Sequence, residues 1–155
     1  MTRTATESTA PCPPEDTVHV LDVTHVDGDV YAVEVRGHRL LVDQPEEAGG
    51  TDTAPTPVEL FAASLATCVA FYAGRYLHRH GLDRAGLRVR TEFTMAADRP
   101  ARVTSVRVIL SAPPGLPEKR RAALLAMASH CTVHNTLHRP PEIGIELEPQ
   151  EHLRS

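Results

Sequence analysis

A single long helix, predicted from Thr56 to His80, constrains this fold more than any other segment of the chain. Thr56 is a good N-cap, Pro57 suits the first helical position, and Glu59 can complete a capping box. Gly81 is expected to end the helix at its C-terminus. Apolar residues between the cap and the stop fall on every face, which is typical of a helix that is buried all round. In a chain of 155 residues, a second copy of the chain is an economical way to bury it.

Strand patterns flank this helix on both sides. Alternating apolar residues, bounded by Gly, Pro and Asp turn signals, predict strands over 17–27, 30–36, 38–42, 87–95, 102–112 and 143–147. A second helix is predicted from Pro117 to about Cys131, with a short helical turn over 133–137. The loop over 44–55 is long for a simple connection and is expected to be functional. The order of elements predicts an α+β fold with mainly antiparallel pairing.

Composition limits the partners and the compartment. The chain has the size of one domain, and with 41% hydrophobic residues and no Trp its core must be aliphatic. A net charge of −4 argues against nucleic acid as a partner. Without a run of about 18 apolar residues, no membrane span is predicted. We expect a disordered leader over 1–16 that lacks a signal peptide, a folded domain over 17–148 and a tail over 149–155, in the cytosol.

Three cysteines carry most of the chemistry that the sequence suggests. Their odd number argues against a secreted disulfide framework. Cys12 lies in the leader and is expected to be a bystander, whereas Cys68 lies in the long helix and Cys131 lies beside His130. Cys68 is also explained as a small buried hydrophobe, while the histidine next to Cys131 can make a thiol more reactive. The pair suggests redox chemistry, although spacing along the chain leaves open whether the two thiols meet.

A metal site is the alternative to a redox pair. His130, His134 and His138 are spaced four residues apart next to Cys131, and Cys and His are zinc ligands. The Pro140-Pro141 pair argues that the helix frays here, which weakens that alignment. The sequence contains no Gly-rich phosphate loop and no nucleophile elbow, so no cofactor is predicted.

Two strings of the sequence resemble the OsmC/Ohr family of thiol peroxidases, and most closely its OsmC-like branch. The first string is Gly49-Gly50-Thr51-Asp52, followed by Pro55-Thr56-Pro57-Val58-Glu59-Leu60 and Ala63-Ser64-Leu65-Ala66-Thr67-Cys68. The second is Cys131-Thr132-Val133-His134-Asn135-Thr136-Leu137. The resemblance covers roughly 17–148. It implies an intertwined homodimer, in which two long central helices are wrapped by antiparallel sheets and the active sites lie at the dimer interface near Cys68.

The same resemblance implies a mechanism. Cys68 would reduce an organic hydroperoxide, and to a lesser extent hydrogen peroxide, becoming a sulfenic acid in oxidative-stress defence. Cys131 would then form a Cys68–Cys131 disulfide, which a dithiol of the lipoyl type would reduce. Glu59 matches the family's glutamate that holds an arginine against the thiolate. The alternative role for Glu59 is the helix cap alone.

Two departures from the family pattern affect these expectations. The relatives' arginine before the first hairpin turn is missing here, where the chain has His25-Val26-Asp27-Gly28. Arg39 is the preferred substitute, with Arg36 and Arg75 as the others, and without such a guanidinium we expect weak peroxidase activity. Thr132 replaces a common proline. A non-catalytic module that binds a small ligand or senses redox state is therefore the alternative function.

Overall fold

The computed structural model describes residues 17–149 and divides the chain into two compact units at Ala54 and Pro55. Antiparallel strands and helices occur together, which confirms the predicted α+β class. The predicted leader over 1–16, with Cys12, lies outside the described residues, as does all but the first residue of the predicted tail.

The first unit is a three-stranded antiparallel sheet. Its strands, in spatial order, are β1 (Asp22–Asp27), β2 (Val30–Val35) and β3 (His38–Val42). Arg36 and Gly37 form the second turn, both with positive φ, as a tight hairpin turn requires. The first strand was predicted to begin at residue 17 but begins at Asp22. Asp22 pairs with Glu34, one residue before β2 ends at Val35, so all but one of the preceding residues lie beyond the end of that strand.

A buried carboxylate folds the loop that follows β3. Asp43 is fully buried and accepts hydrogen bonds from the backbone of Gln44 and from the backbone and hydroxyl groups of Thr51 and Thr53, at 2.7–3.2 Å. Gly50 has to be glycine, since a Cβ there would collide with the backbone carbonyl of Gln44. One side chain therefore organises most of the segment that the sequence marked only as a long loop.

This carboxylate makes the stability of the first unit depend on pH. The backbone N–H of Thr53 and the hydroxyl of Thr51 hold the pKa of Asp43 well below its usual range and outweigh burial, which raises it. A depressed folded pKa stabilises the fold above the unfolded value of about 3.9, and this contribution is lost as pH falls below it. We expect Asp43→Asn to lower the melting temperature by several degrees at neutral pH, because its amide would face donors with a donor.

Thermal unfolding measured from about pH 7 down to about pH 2 tests this expectation. The difference between wild type and Asp43→Asn should shrink as the pH falls below about 3.9, because the carboxyl of Asp43 then binds a proton in the unfolded chain and not in the folded one. Asp52→Asn, in the same loop but exposed, serves as the matched control. An unchanged melting temperature in Asp43→Asn at neutral pH would contradict the role of Asp43.

The second unit begins with the helix that the sequence predicted. Helix α1 (Pro57–Arg79) carries both bonds of the capping box: the Thr56 N–H donates to Glu59 Oε2 at 2.8 Å, and the Glu59 N–H donates to Thr56 Oγ1 at 3.2 Å. At the other end, Gly81 adopts a positive φ and its N–H donates to the carbonyl of His78. The predicted cap and stop are both confirmed.

Two strands and two further helices pack on α1. Strands β4 (Arg88–Met95) and β5 (Val103–Ser111) form an antiparallel pair, followed by α2 (Glu118–Ser129) and α3 (Thr132–His138). The buried core combines one stripe of α1 with α2 and the residue before α3: Leu65, Val69, Ala73, Tyr76, Leu77, Leu124, Ala128 and Cys131. Inward residues of the two strands pack against this cluster, as the alternation predicted.

The predicted final strand over 143–147 is wrong. No strand forms there, and Ile143, Ile145 and Leu147 are 83%, 96% and 97% exposed. Alternation supplies the side chains for a half-buried strand, but a strand also needs a neighbouring edge to pair with. Within the described residues this segment pairs with no strand.

One chain buries only one face of α1. The residues that it buries recur at helical spacing from Ala62 to Leu77, while Phe71 remains 58% exposed. By length and composition alone the helix could also cross a membrane, with a mean hydropathy of 1.4 over its most apolar window. Its packed stripe in the core of the second unit is that of a core helix, which passes the same test. The all-round burial that the sequence predicted is therefore not reached within a single chain.

Candidate active site

The structure brings the two predicted thiols together. Cys68 lies in the middle of α1 and is partly buried, whereas Cys131 is fully buried at the start of α3. Both are free thiols, and Cys68 packs against the buried cluster that contains Cys131, close enough for Cys68 to contribute to the raised pKa of the Cys131 thiol. The question that spacing along the chain left open is answered by the packing of α3 on α1.

Cys131 caps a helix rather than ending one. The second helix was predicted to reach Cys131, but α2 ends at Ser129 and Cys131 is the N-cap of α3. The backbone N–H of His134 donates to Cys131 Sγ at 3.2 Å. Burial raises the pKa of the Cys131 thiol, and this hydrogen bond offsets only part of the effect. Cys131 is therefore held as a neutral thiol at neutral pH.

A second contact between α1 and α3 lies next to the thiols. Tyr72 follows Cys68 by one helical turn, and its hydroxyl is 3.1 Å from Thr132 Oγ1. The sequence analysis singled out Thr132 only as a departure from the proline of relatives and missed Tyr72. A polar residue one turn after a candidate cysteine was the available signal, but its partner is far away in the sequence.

The predicted electrostatic partners of Cys68 have other contacts. Glu59 uses Oε2 in the helix cap, and among the described residues it forms no ion pair. Arg39, in the first unit, pairs with Glu34 at 3.8 Å on the exposed surface of its sheet. Arg75 places its guanidinium over the ring of Phe71, at 5.5 Å from the centroid. The third candidate, Arg36, lies in the turn between β2 and β3.

The histidines next to Cys131 form a pair rather than a cluster. The Nε2 atoms of His134 and His138 are 3.0 Å apart on α3, while His130 belongs to the end of α2. Within residues 17–149, no group of three or more His, Cys, Asp or Glu side chains is arranged to hold a metal ion. The structure thus gives the alternative of a zinc site no support.

A mainly apolar pocket lies in the second unit, and neither Cys68 nor Cys131 lines it. It has a volume of about 250 Å³ and is lined by side chains of α1, β5, α2 and α3, with Ser129 and His134 as its polar members. Leu65 and Val69 line it from positions on either side of Cys68 in the sequence. The Nδ1 atom of His134 is buried and has no hydrogen-bond partner among the described residues. The cavity can therefore accept a small, mainly apolar molecule next to the α3 segment that carries Cys131.

The sequence of this chain matches one protein family. A family model described as OsmC-like protein matches residues 50–146, which include most of both strings singled out in the sequence. Among curated proteins, no sequence matches this chain.

Solved structures share the fold at low sequence identity. One of them is a protein from Psychrobacter arcticus that carries the name osmotic stress induced and detoxification response protein. It has a TM-score of 0.70 at 24% identity, over 81% of this chain and 91% of its own. An OsmC-like protein from Mycoplasma pneumoniae has a TM-score of 0.68 at 12% identity, over 80% and 89%. An organic hydroperoxide resistance protein from Legionella pneumophila has a TM-score of 0.57 at 23% identity, over 79% and 91%.

Proposed function

The chain belongs to the OsmC-like family, and from this premise we propose that it is a thiol-dependent peroxidase that reduces organic hydroperoxides. The observation that carries the proposal is the proximity of Cys68, on α1, to Cys131, at the N-cap of α3. A structure under the name of organic hydroperoxide resistance shares the fold, which supports the choice of substrate class.

The proposed reaction begins at Cys68. Its sulfur attacks the distal oxygen of the hydroperoxide, the O–O bond breaks, and the remaining oxygen leaves with a proton as the alcohol. Cys68 thereby becomes a sulfenic acid. Cys131 then attacks that sulfur, the S–O bond breaks, and water leaves as the Cys68–Cys131 disulfide forms. A dithiol reductant, which we propose to be of the lipoyl type, restores both thiols and becomes a cyclic disulfide.

Burial supports this division of labour between the two cysteines. Cys68 retains some exposure, so a small oxidant can reach it, whereas Cys131 is fully buried. The raised pKa of Cys131 keeps it protonated and poorly nucleophilic until its neighbour is oxidised. A reducing cytosol, the compartment predicted from the sequence, would return the pair to its dithiol form.

A homodimer belongs to the same proposal. One chain leaves part of the apolar surface of α1 uncovered, with Phe71 more than half exposed. A second copy of the chain, packing its own α1 against this surface, would bury it as the family resemblance implies. The site would then lie near the interface between the two copies.

A guanidinium near Cys68 would stabilise the thiolate and polarise the departing oxygen. We propose Arg39 for this role, held by Glu59 through the carboxylate oxygen that the helix cap does not use. The exposed pair with Glu34 is not an obstacle, because ion pairs of this kind contribute little, roughly 0–1 kcal/mol.

A peroxide-consumption assay tests the proposed function. With a lipoyl dithiol as donor, wild-type protein should consume an alkyl hydroperoxide faster than hydrogen peroxide, and thiol-alkylated protein provides the blank. Consumption at the level of the blank with both oxidants would contradict the proposal.

The same assay separates the candidate arginines. Arg39→Gln should lower kcat/KM by roughly tenfold or more if its guanidinium faces the reacting sulfur. Arg75→Gln should leave kcat/KM close to the wild-type value, because Arg75 contacts Phe71. The reverse order would assign the role to Arg75.

The cavity favours a second candidate function. A volume of about 250 Å³ lined mainly by apolar side chains suits a small apolar ligand, and the buried Nδ1 of His134 could recognise one polar group on it. In this alternative the protein is a ligand-binding or redox-sensing module. Saturable binding of an apolar fluorescent probe, together with peroxide consumption at the level of the blank, would favour it.

A further inference from the structure

Two neighbouring contacts join α1 to the start of α3. The first is the packing of Cys68 against the core cluster that contains Cys131, which brings the two thiols close together. The second joins Tyr72, one turn further along α1, to Thr132, the residue after Cys131. Because Tyr72 follows Cys68 by four residues, both contacts lie on one face of α1. The two contacts are thus adjacent and join the same two elements.

Beyond these two contacts, helix α3 is held by Val133, which packs against the core cluster, and by few side-chain hydrogen bonds. It contains seven residues, and none of them is buried. Its remaining side-chain hydrogen bonds stay within α3 or reach back to His130. Among the described residues, the bond between Tyr72 and Thr132 is therefore the one side-chain hydrogen bond that joins α1 to α3.

We propose that Tyr72 and Thr132 are positioning residues that hold Cys131 against Cys68 while the disulfide closes, an inference that rests on the proposed peroxidase function. Oxidation of Cys68 to the sulfenic acid replaces its S–H by S–OH and so changes the contact between the two sulfur atoms. The Tyr72–Thr132 hydrogen bond does not change with that oxidation. It keeps the start of α3 in place for the second step.

That second step depends on geometry. The sulfur of Cys131 loses its proton and bonds to Cys68 Sγ, while the hydroxyl of the sulfenic acid leaves with a proton as water. The attacking sulfur has to approach Cys68 Sγ from the side opposite the leaving oxygen, in line with the S–O bond. A small displacement of α3 relative to α1 would therefore slow closure. The hydroxyl of Thr132 supplies a fixed point that a proline at this position could not supply.

Rapid-mixing experiments separate the two steps. After one equivalent of alkyl hydroperoxide, a sulfenic-acid probe follows oxidation of Cys68, and mass spectrometry of alkylated samples follows disulfide closure. Tyr72→Phe and Thr132→Val should each slow closure roughly two- to tenfold, the usual worth of one hydrogen bond, with the first step unchanged. The double variant should close no more slowly than either single one.

Two further variants distinguish positioning from general stability. Thr132→Ser retains a hydroxyl and should restore the wild-type closure rate. Thr136→Val removes a hydroxyl that bonds only within α3 and should leave closure unchanged. Unchanged closure in Tyr72→Phe, additive effects in the double variant, or slow closure in Thr132→Ser would each overturn the inference.

A second oxidant keeps this inference separate from the proposed function. One thiol adds across the N=N bond of diamide and forms an S–N bond. The neighbouring thiol then attacks that sulfur, the S–N bond breaks, and the hydrazine leaves as the disulfide forms. If wild type forms no sulfenic acid with peroxide, the proposed peroxidase fails, yet closure driven by diamide still compares the variants. Equal closure rates for wild type and Tyr72→Phe with diamide would overturn the positioning role by itself.

Discussion

Replacing Cys68 with serine is expected to abolish the consumption of alkyl hydroperoxide, to the level of thiol-alkylated protein. A serine hydroxyl does not ionise at neutral pH and cannot form a stable sulfenic acid equivalent, so neither step of the proposed reaction can start. The variant should fold, because oxygen replaces sulfur at a partly exposed position of α1. Peroxide consumption with a lipoyl dithiol as donor measures the effect.

Stability and oligomeric state provide the control for Cys68→Ser. A melting temperature within a few degrees of wild type, with the same mass in solution, shows that only the reacting group was lost. Turnover in Cys68→Ser equal to that of wild type would rule out Cys68 as the peroxidatic thiol.

Cys131→Ser is expected to separate the first oxidation from recycling. The variant should consume about one hydroperoxide per chain and then slow at least roughly tenfold, because an external dithiol has to replace a thiol already in contact with Cys68. The oxidised variant should gain one oxygen in mass and react with a sulfenic-acid probe at Cys68. Steady-state kinetics and mass spectrometry together measure both results.

The two cysteine variants also control each other. Cys68→Ser should take up no probe after peroxide, while Cys131→Ser should take up one equivalent. Sustained turnover in Cys131→Ser at the wild-type rate would show that the disulfide is not part of the cycle. Loss of the first oxidation in Cys131→Ser, with its retention in Cys68→Ser, would show that Cys131 is the site of attack.

Local signals in the sequence predicted the framework of the second unit. Thr56 and Glu59 marked the start of α1 to the residue, because a capping box acts within four positions of the chain. Alternation located β4 and β5 for the same reason, since side-chain direction has a period of two. Cys68 and Cys131 were recognisable from their neighbours, but their contact is made by packing between helices and has no local signature.

The misses come from interactions between distant positions. Asp43 looked like an ordinary loop residue, and only the folded loop brings the donors of Thr51 and Thr53 to it. The contact between Tyr72 and Thr132 had no local signal, because their hydrogen bond needs α3 to lie on α1. The segment over 143–147 has the alternation of a strand but no neighbouring strand within the described residues. The role of Arg39 stays a prediction.

The direct contact between Cys68 and Cys131 also bears on how such a protein would survive its own substrate. A sulfenic acid that meets a second peroxide is overoxidised to sulfinic acid, which thiols do not reverse. Here the competing thiol is a neighbouring side chain of the same chain, and intramolecular reactions of this kind correspond to effective concentrations that dissolved peroxide does not approach. The partition between closure and overoxidation would then favour closure strongly, so the protein should resist inactivation during bursts of oxidant that exhaust its reductant.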